Sequence, residues 1–292
     1  MTPFLKWAGG KRWLAPALKR LLAECSTRYV EPFLGSGAVF FALGARRAWL
    51  CDVNPELIAT FGIVKERVED LIASLSTLDV DRNVYKVLAA QRSSDPLQRA
   101  TRLIYLNRTA FNGIYRVNLQ GHFNVPFGCK PGTKILDELG LRKCSAALQA
   151  ASLSELDYRD SLERIREDDW VYIDPPYTVN HDSNGFRRYN ERLFSWKDQE
   201  HLARWASSFA QGGGRVVVSN AMHPEVLALY QHSCFTALTV ERASNMAAAN
   251  QYRGTRQELL LVSKAIVPDE AWAERPLGKN LPYPVDDLTG ER

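Results

Sequence analysis

Hydrophobic residues in this 292-residue chain change their spacing several times, and each change predicts a different element. Leu14, Leu18, Leu21 and Leu22 share one helical face, so an amphipathic helix follows the loop of residues 3–12. Residues 28–41, Arg-Tyr-Val-Glu-Pro-Phe-Leu-Gly-Ser-Gly-Ala-Val-Phe-Phe, read as a strand, a glycine turn and a helix. A second strand, Ala48 to Cys51, closes on Asp52. From about Pro55 to Leu106 the spacing is helical, with Leu57, Ile58, Phe61 and Val64 followed by Leu71, Leu75, Val84, Val87 and Leu88. No strand signal interrupts it, so the stretch leaves the β-α-β alternation and reads as an inserted helical module.

Asn112-Gly113 and Gln120-Gly121 are turn signals, and they predict hairpin arms over Tyr115–Leu119 and His122–Phe127. After a loop rich in Lys, Pro and Gly (Lys130 to Lys134), the pattern returns to that of a sheet. Leu153 to Leu156 forms a short strand ending in Asp157-Tyr158, and Trp170 to Ile173 forms a wholly apolar one. Residues 178–192 are polar and predict a mobile lid holding Arg187 and Arg188. A helix over 197–210, a strand over Arg215–Ser219 and a helix over 224–232 come next. Strands over Phe235–Val240 and Glu258–Val262 flank polar chain, a loop from Asn245 to Thr255 among it, that carries Arg253 and Arg256. The expected fold class is α/β, an open Rossmann-like sheet with helices on both faces. Beyond Lys264 the chain is proline-containing and mildly acidic, and is expected to be a loosely held tail.

Composition narrows the class of protein. Hydrophobic residues make up 46% and charged residues 24%, as in an ordinary globular protein. No apolar run is long enough to span a bilayer, and the start lacks a signal-peptide pattern. Cys25, Cys51, Cys129, Cys144 and Cys234 are scattered and never form a Cys-x-x-Cys pair. Reduced thiols, no metal site and a cytoplasmic location are therefore expected. The net charge of +4 is small but unevenly spread: Leu97 to Ile135 holds six Lys/Arg and no acid. The first 23 residues hold Lys6, Lys11, Arg12, Lys19 and Arg20, again without an acid. Such clustering points to a polyanionic partner, although solvated basic faces are common.

The candidate chemistry sits where the apolar strand stops. Proline cannot donate a ladder hydrogen bond and restricts the residue before it, so the strand ends at Asp174 and Pro175-Pro176-Tyr177 runs on extended. The Asp174 carboxylate and the Pro175 carbonyl are acceptors suited to the two hydrogens of a ring-borne –NH2, and Tyr177 offers a face for stacking. A strand-end turn with an incidental Asp and Tyr is the plainer reading. Near the start, Gly9-Gly10-Lys11 does not make a phosphate loop: Leu5 stands where its first glycine belongs and Arg12 replaces the hydroxyl. Trp7 and Lys11 read as a wall and a charge beside a ligand, or equally as a buried anchor and a surface lysine. Gly35 and Gly37 permit close backbone approach, while Phe40 occupies the third glycine position of a dinucleotide fingerprint. Asp52, seventeen residues after Gly35, is placed for ribose hydroxyls. A nucleoside cofactor without pyrophosphate fits, and S-adenosylmethionine is the candidate. In the hairpin, Arg116, Asn118 and Asn124 are residues of base-reading type, with Phe111 and Ile114 at its root.

From residue 3 to residue 264 the sequence resembles the Dam-type, D12 class DNA adenine-N6 methyltransferases. The matching motifs are Pro3-Phe4-Leu5-Lys6-Trp7-Ala8-Gly9-Gly10-Lys11, Glu31-Pro32-Phe33-Leu34-Gly35-Ser36-Gly37, Phe111-Asn112-Gly113 with Arg116, Phe123-Asn124-Val125-Pro126-Phe127-Gly128, and Asp174-Pro175-Pro176-Tyr177. The resemblance implies cofactor contacts at Trp7, Lys11, Asp52 and Asp174, with Glu31, Phe33, Gly35 and Gly37 around them and Asp157 near the cofactor adenine. It implies that the tetrad holds a flipped adenine. Phe111, Asn112, Ile114, Arg116 and Pro126 fall on positions that intercalate or read bases, and Asn118 joins them from the hairpin reading. The expected partner is double-stranded DNA with a GATC-like site, bound by a monomer without metal or membrane. Cys129 departs from the Arg that often follows Phe-Gly. The implied layout is a catalytic domain over 1–56 and 145–265, an inserted target-recognition domain over 57–144, and a tail over 266–292. Methylation of cytosine N4 or of RNA stays open beside this reading, as does a DNA-binding regulator that keeps the fold without the activity.

Overall fold

Strands rich in Val, Leu, Tyr and Trp alternate with capped helices, and the computed structural model describes them over residues 1–118, 120–129, 132–178, 194–230, 233–243, 255–266 and 283–284. The chain divides into two compact units, one of Met1–Lys19 with Phe33–Ser161, the other of Arg20–Pro32 with Leu162–Arg292. No helix among the described residues is long and apolar enough to cross a membrane.

In the first unit, β2 (Ala48–Asp52) runs parallel to β3 (Ala151–Glu155), with Ala48 opposite Ala151 and Asp52 opposite Glu155. The predicted strand over Leu153–Leu156 therefore starts earlier. Its register is set by β2 and by the Trp49 indole donating to Ser154 Oγ at 2.9 Å. Helix α2 (Ala38–Leu43) leaves the glycine turn at Gly37. The apolar stretch after Pro55 resolves into α3 (Pro55–Glu66), α4 (Val68–Ser76), α5 (Arg82–Ala90) and α6 (Pro96–Thr109). Asn54, Asp81 and Asp95 cap α3, α5 and α6 through side-chain oxygens, and prolines open α3 and α6. Helix α7 (Glu138–Leu148), capped by Asp137, falls where a direct return to strands is expected from the sequence. Leu141, Cys144, Ser145 and Leu148 bury its inner face at helical spacing.

Hairpin residues join α5 and α6 in one core of Tyr85, Tyr105, Leu106, Ala110, Phe123, Val125 and Ile135. The buried Tyr85 hydroxyl donates to the Val125 carbonyl at 2.6 Å. The two predicted arms do not form a continuous ladder. They meet at the isolated bridge Val117–Phe123, and a second bridge joins Ala110, before the first arm, to Phe127; the chain turns sharply at Phe111–Gly113 and again at Gly121.

In the second unit, β1 (Tyr29–Glu31), β4 (Trp170–Ile173) and β5 (Arg215–Ala221) pair in parallel. Antiparallel β7 (Thr255–Ser263), β6 (Phe235–Ala243) and β8 (Tyr283–Pro284) continue the order β1-β4-β5-β7-β6-β8. All four residues of β4 are buried, as a central parallel strand requires. Arg28 locks the start of β1 to β4 through a bidentate pair with buried Asp169, its Nε at 2.8 Å from Oδ1. Helices α8 (Trp196–Gln211) and α9 (Pro224–Leu229) precede β5 and β6. Ser195 and Asp198 form a capping box at the head of α8.

Two expectations change here. Arg256 lies in β7 and not in a loop, and Tyr283–Pro284 of the expected loose tail pairs with β6 at Thr239 and Leu238. Arg187 and Arg188 of the expected lid, and Arg253, lie outside the described residues.

Candidate active site

In the first unit the glycine turn is built around Asp52. Leu34 N–H donates to the Cys51 carbonyl at 2.8 Å, and Gly37 N–H to the Leu34 carbonyl at 2.8 Å. Gly35, at φ 49°, turns its N–H onto Asp52 Oδ2 at 3.0 Å, and Asn54 N–H reaches Oδ1 at 3.0 Å. Burial pushes the Asp52 carboxyl above its ordinary range, with the N–H groups of Gly35, Asn54 and Val53 pulling the other way. A Cβ on Gly35 would come within 2.9 Å of Trp7 Cδ1, so the absent side chain is what lets the indole lie over the turn. Trp7 in turn stacks on Tyr115 of the hairpin, centroids 5.5 Å apart and planes 15° from parallel. Lys11 is buried and its ammonium donates to the Gly9 carbonyl at 3.1 Å.

Phe33 stacks on Tyr158 at 5.5 Å. Beside that pair Asp157, half-exposed, accepts from Arg159 N–H at 2.9 Å. Since Leu156 N–H donates to the Asp52 carbonyl at 3.2 Å, Asp52 and Asp157 end neighbouring strands. The structure thus brings Trp7, Gly35 and Asp52 together and sets Phe33 against the strand end that carries Asp157. Glu31 belongs to the second unit, buried at the end of β1. It helps to raise the Tyr29 phenol, whose shift comes first from burial.

The hairpin, also in the first unit, keeps its root tight and its tip exposed. Asn107 on α6 is 1% exposed, and its amide donates to the carbonyls of Lys6 and Gly113 while its oxygen accepts from Lys6 N–H at 2.9 Å. Asn112 has φ 55°, the one non-glycine residue with positive φ among the described residues. Phe111 beside it is 53% exposed. Pro126 is exposed and Ile114 packs against the hairpin core. Arg116, exposed, donates to Asn124 Oδ1 at 2.9 Å, and Asn118 Oδ1 closes the turn by accepting from Gln120 and His122 N–H.

The basic stretch around the hairpin is less available than its composition implies. Arg99 pairs with Glu56, Arg102 donates to the carbonyls of Leu88 and Ala89 at the end of α5, and Arg108 donates to the Phe4 carbonyl. These three hold the fold.

In the second unit Asp174 follows β4 directly. Ser219 of β5 lies 2.8 Å from Asp174 Oδ1, and the Tyr172 hydroxyl lies 2.9 Å from Ser219 Oγ. Pro175 is buried, while Pro176 and Tyr177 are half-buried. Tyr177 donates to Glu258 Oε2 of β7 at 3.1 Å. Ser219 and Glu258 escape a reading of the sequence, as do Asn107 and Tyr115. Each acts through a partner far along the chain; only the Ser-Asn pair ending an apolar strand marks Ser219 as unusual.

A glycine turn leading to a strand-end acid, with Asp-Pro-Pro-Tyr closing a central parallel strand, defines an α/β methyltransferase. Comparison with known proteins takes this further. A family model for D12 class N6 adenine-specific DNA methyltransferases matches residues 7–246. The chain is 32% identical to the Type II methyltransferase M1.LlaDCHI of Lactococcus lactis over 274 residues, covering 90% of this chain and 95% of that protein. It is 36% identical to the DNA adenine methylase of Escherichia coli over 225 residues, 74% of this chain and 80% of that one. The DNA adenine methylase of Haemophilus influenzae is 32% identical over 249 residues, 82% and 87% of the two chains. The chain belongs to the D12 class N6 adenine-specific DNA methyltransferase family.

Proposed function

We propose that the protein transfers a methyl group from S-adenosylmethionine to the N6 amine of an adenine extruded from a short, GATC-like duplex site. The observation that carries this reading is the tetrad: an acid at the end of β4, held by Ser219, followed by a buried proline and a tyrosine held by Glu258. An adenine amine is a weak nucleophile because its lone pair is delocalised into the ring. Acceptors on both hydrogens, Asp174 and the Pro175 carbonyl, favour a pyramidal nitrogen, and their pull grows as positive charge develops. Tyr177 supplies the stacking face, and Pro176 keeps the segment extended. An amine inside the duplex stack is out of reach, so the base must leave it.

The residues of the first unit fit a nucleoside cofactor. Asp52 and Asp157 are acceptors for hydroxyls or an amine, and Trp7 and Phe33 are aromatic faces. Gly35 and Gly37 keep the turn open, and Lys11 completes this set; Glu31, in the second unit, is implied by the family resemblance alone. When bound, the cofactor would supply an electrophilic methyl group and leave as a neutral thioether, and the amine would lose a proton to Asp174 or water. Phe111 is the exposed wedge, with Asn112, Ile114, Arg116, Asn118 and Pro126 as the surface that meets bases and backbone. Duplex DNA is the partner, and a monomer working in the cytoplasm is our reading.

The test is to incubate the protein with duplex DNA and, in a parallel reaction, with RNA, each with methyl-labelled S-adenosylmethionine, then digest the products and identify the labelled nucleoside. N6-methyladenosine in the deoxy series is expected. Label on cytosine N4, label only on RNA, or no label would each overturn the assignment.

A further inference from the structure

Tetrad residues are held by neighbours that the motif does not contain. Tyr172 lies on β4 and Asp174 two residues on, just past its end, so the strand's alternation sets both toward the same side. Ser219 reaches that side from β5, where Ile173 pairs with Val218 one step earlier. Its side chain is fully buried and meets three oxygens: Asp174 Oδ1 at 2.8 Å, the Tyr172 hydroxyl at 2.9 Å and the Ile173 carbonyl at 3.5 Å. A serine hydroxyl has one hydrogen to give, and an ionised carboxylate and a carbonyl can only accept. The charged acceptor at shorter distance takes it. Tyr172 must then donate its own hydrogen to Ser219, which sets the polarity of the chain as Tyr172 to Ser219 to Asp174.

We infer that Ser219 is a positioning residue for methyl transfer: it fixes the rotation of the Asp174 carboxylate, with Tyr172 fixing Ser219 in turn. The inference rests on the amine-holding role given to Asp174 above. The terminal torsion of an aspartate is broad when nothing restrains it. An acceptor that must be aimed at a developing charge gains rate by being aimed beforehand, without reorganisation during the reaction. Tyr172 and Ser219 are buried and Asp174 is half-buried, and shielding from water strengthens the bonds of the chain and penalises any arrangement that breaks one.

Single-turnover methylation of unmethylated duplex DNA with labelled S-adenosylmethionine tests this. The wild-type protein must first yield labelled N6-methyladenine; if it does not, the function itself falls, whatever Ser219 does. Given an active wild type, Ser219→Ala should slow the single-turnover rate by about 10- to 100-fold, somewhat less than the loss of a direct contact. KM for DNA and for cofactor should stay within about threefold, since neither ground-state partner touches Ser219. Ser219→Thr keeps the hydroxyl and should recover most of the rate, whereas a merely structural site would suffer from the added methyl as much as from the deletion. A wild-type rate in Ser219→Ala, a change confined to KM, or equal losses in the Ala and Thr variants would overturn the proposal. If Ser219→Ala does not fold, Tyr172→Phe decides: its rate should fall by roughly 3- to 10-fold because the Ser219 hydrogen loses its enforced direction. An unchanged rate in that variant would overturn the proposal as well.

Discussion

The tetrad and the hairpin are built on opposite principles. Around Asp174 the backbone is ordinary extended chain at the end of a fully buried strand, and order comes from side-chain bonds sent by neighbouring strands. Around Phe111 the order is in the backbone: a short turn, a left-handed Asn112 and glycines at 113 and 128 against Asn107 and Phe111. Side chains at the hairpin tip remain exposed, and strand-like pairing shrinks to single bridges. The difference follows from the work proposed for each. Chemistry gains from acceptors that cannot turn away from a developing charge. Reading a duplex needs side chains that can reach out and adjust, on a root that holds their direction.

The largest effect expected from this contrast is at Asp174. Asp174→Ala should lower methylation by at least about 1000-fold while duplex binding stays near wild type, because an electrostatic contact made in the transition state is lost. Near-normal turnover would remove the tetrad from the chemistry. Next comes Gly128, where a Cβ would sit 2.5 Å from Phe111 Cα and 2.9 Å from its N. Gly128→Ala must displace the hairpin root, so specific DNA binding should fall by about tenfold or more, a cost of about 1–3 kcal/mol for overpacking. Cofactor affinity, measured by calorimetry, should hold. Equal loss of both would show instead that the hairpin and the glycine turn are coupled, with the Trp7–Tyr115 stack as the link between them.

Arg116→Ala should relax the choice of base at one position of the site, costing about 1–3 kcal/mol of discrimination there. Binding that weakens equally on every sequence would make Arg116 a phosphate contact. The smallest effect is at Asn112. Asn112→Gly relieves the left-handed backbone and should raise stability by up to about 1 kcal/mol in thermal unfolding, with some loss of site preference. Lower stability would mean that the Asn112 side chain, and not the turn itself, holds the root.

Much of this architecture can be read from the chain alone, for local reasons. Asp174 ends its strand because prolines follow it, α3 and α6 start where an Asn or Asp precedes a proline, and Gly35 marks a turn that a side chain would block. The exposed Phe111 beside a glycine turn is legible for the same reason. Helix α7 falls where strands are expected: Leu141, Cys144 and Leu148 have helical spacing, but the Lys-Pro-Gly loop just before them reads as the turn into a strand.

Partnerships across the chain were decided only by the tertiary structure. Ser219 meets Asp174 across 45 residues and Glu258 meets Tyr177 across 81, because β5 lines up beside β4, and β7 beside β5, each in one register. Local patterning states that a segment is a strand and which of its faces is apolar. It carries no record of which strand will lie alongside, since that choice depends on how the buried faces of the whole unit fill together. Hence the acid proposed to take the amine could be named from four consecutive residues, while the serine proposed to aim it could not.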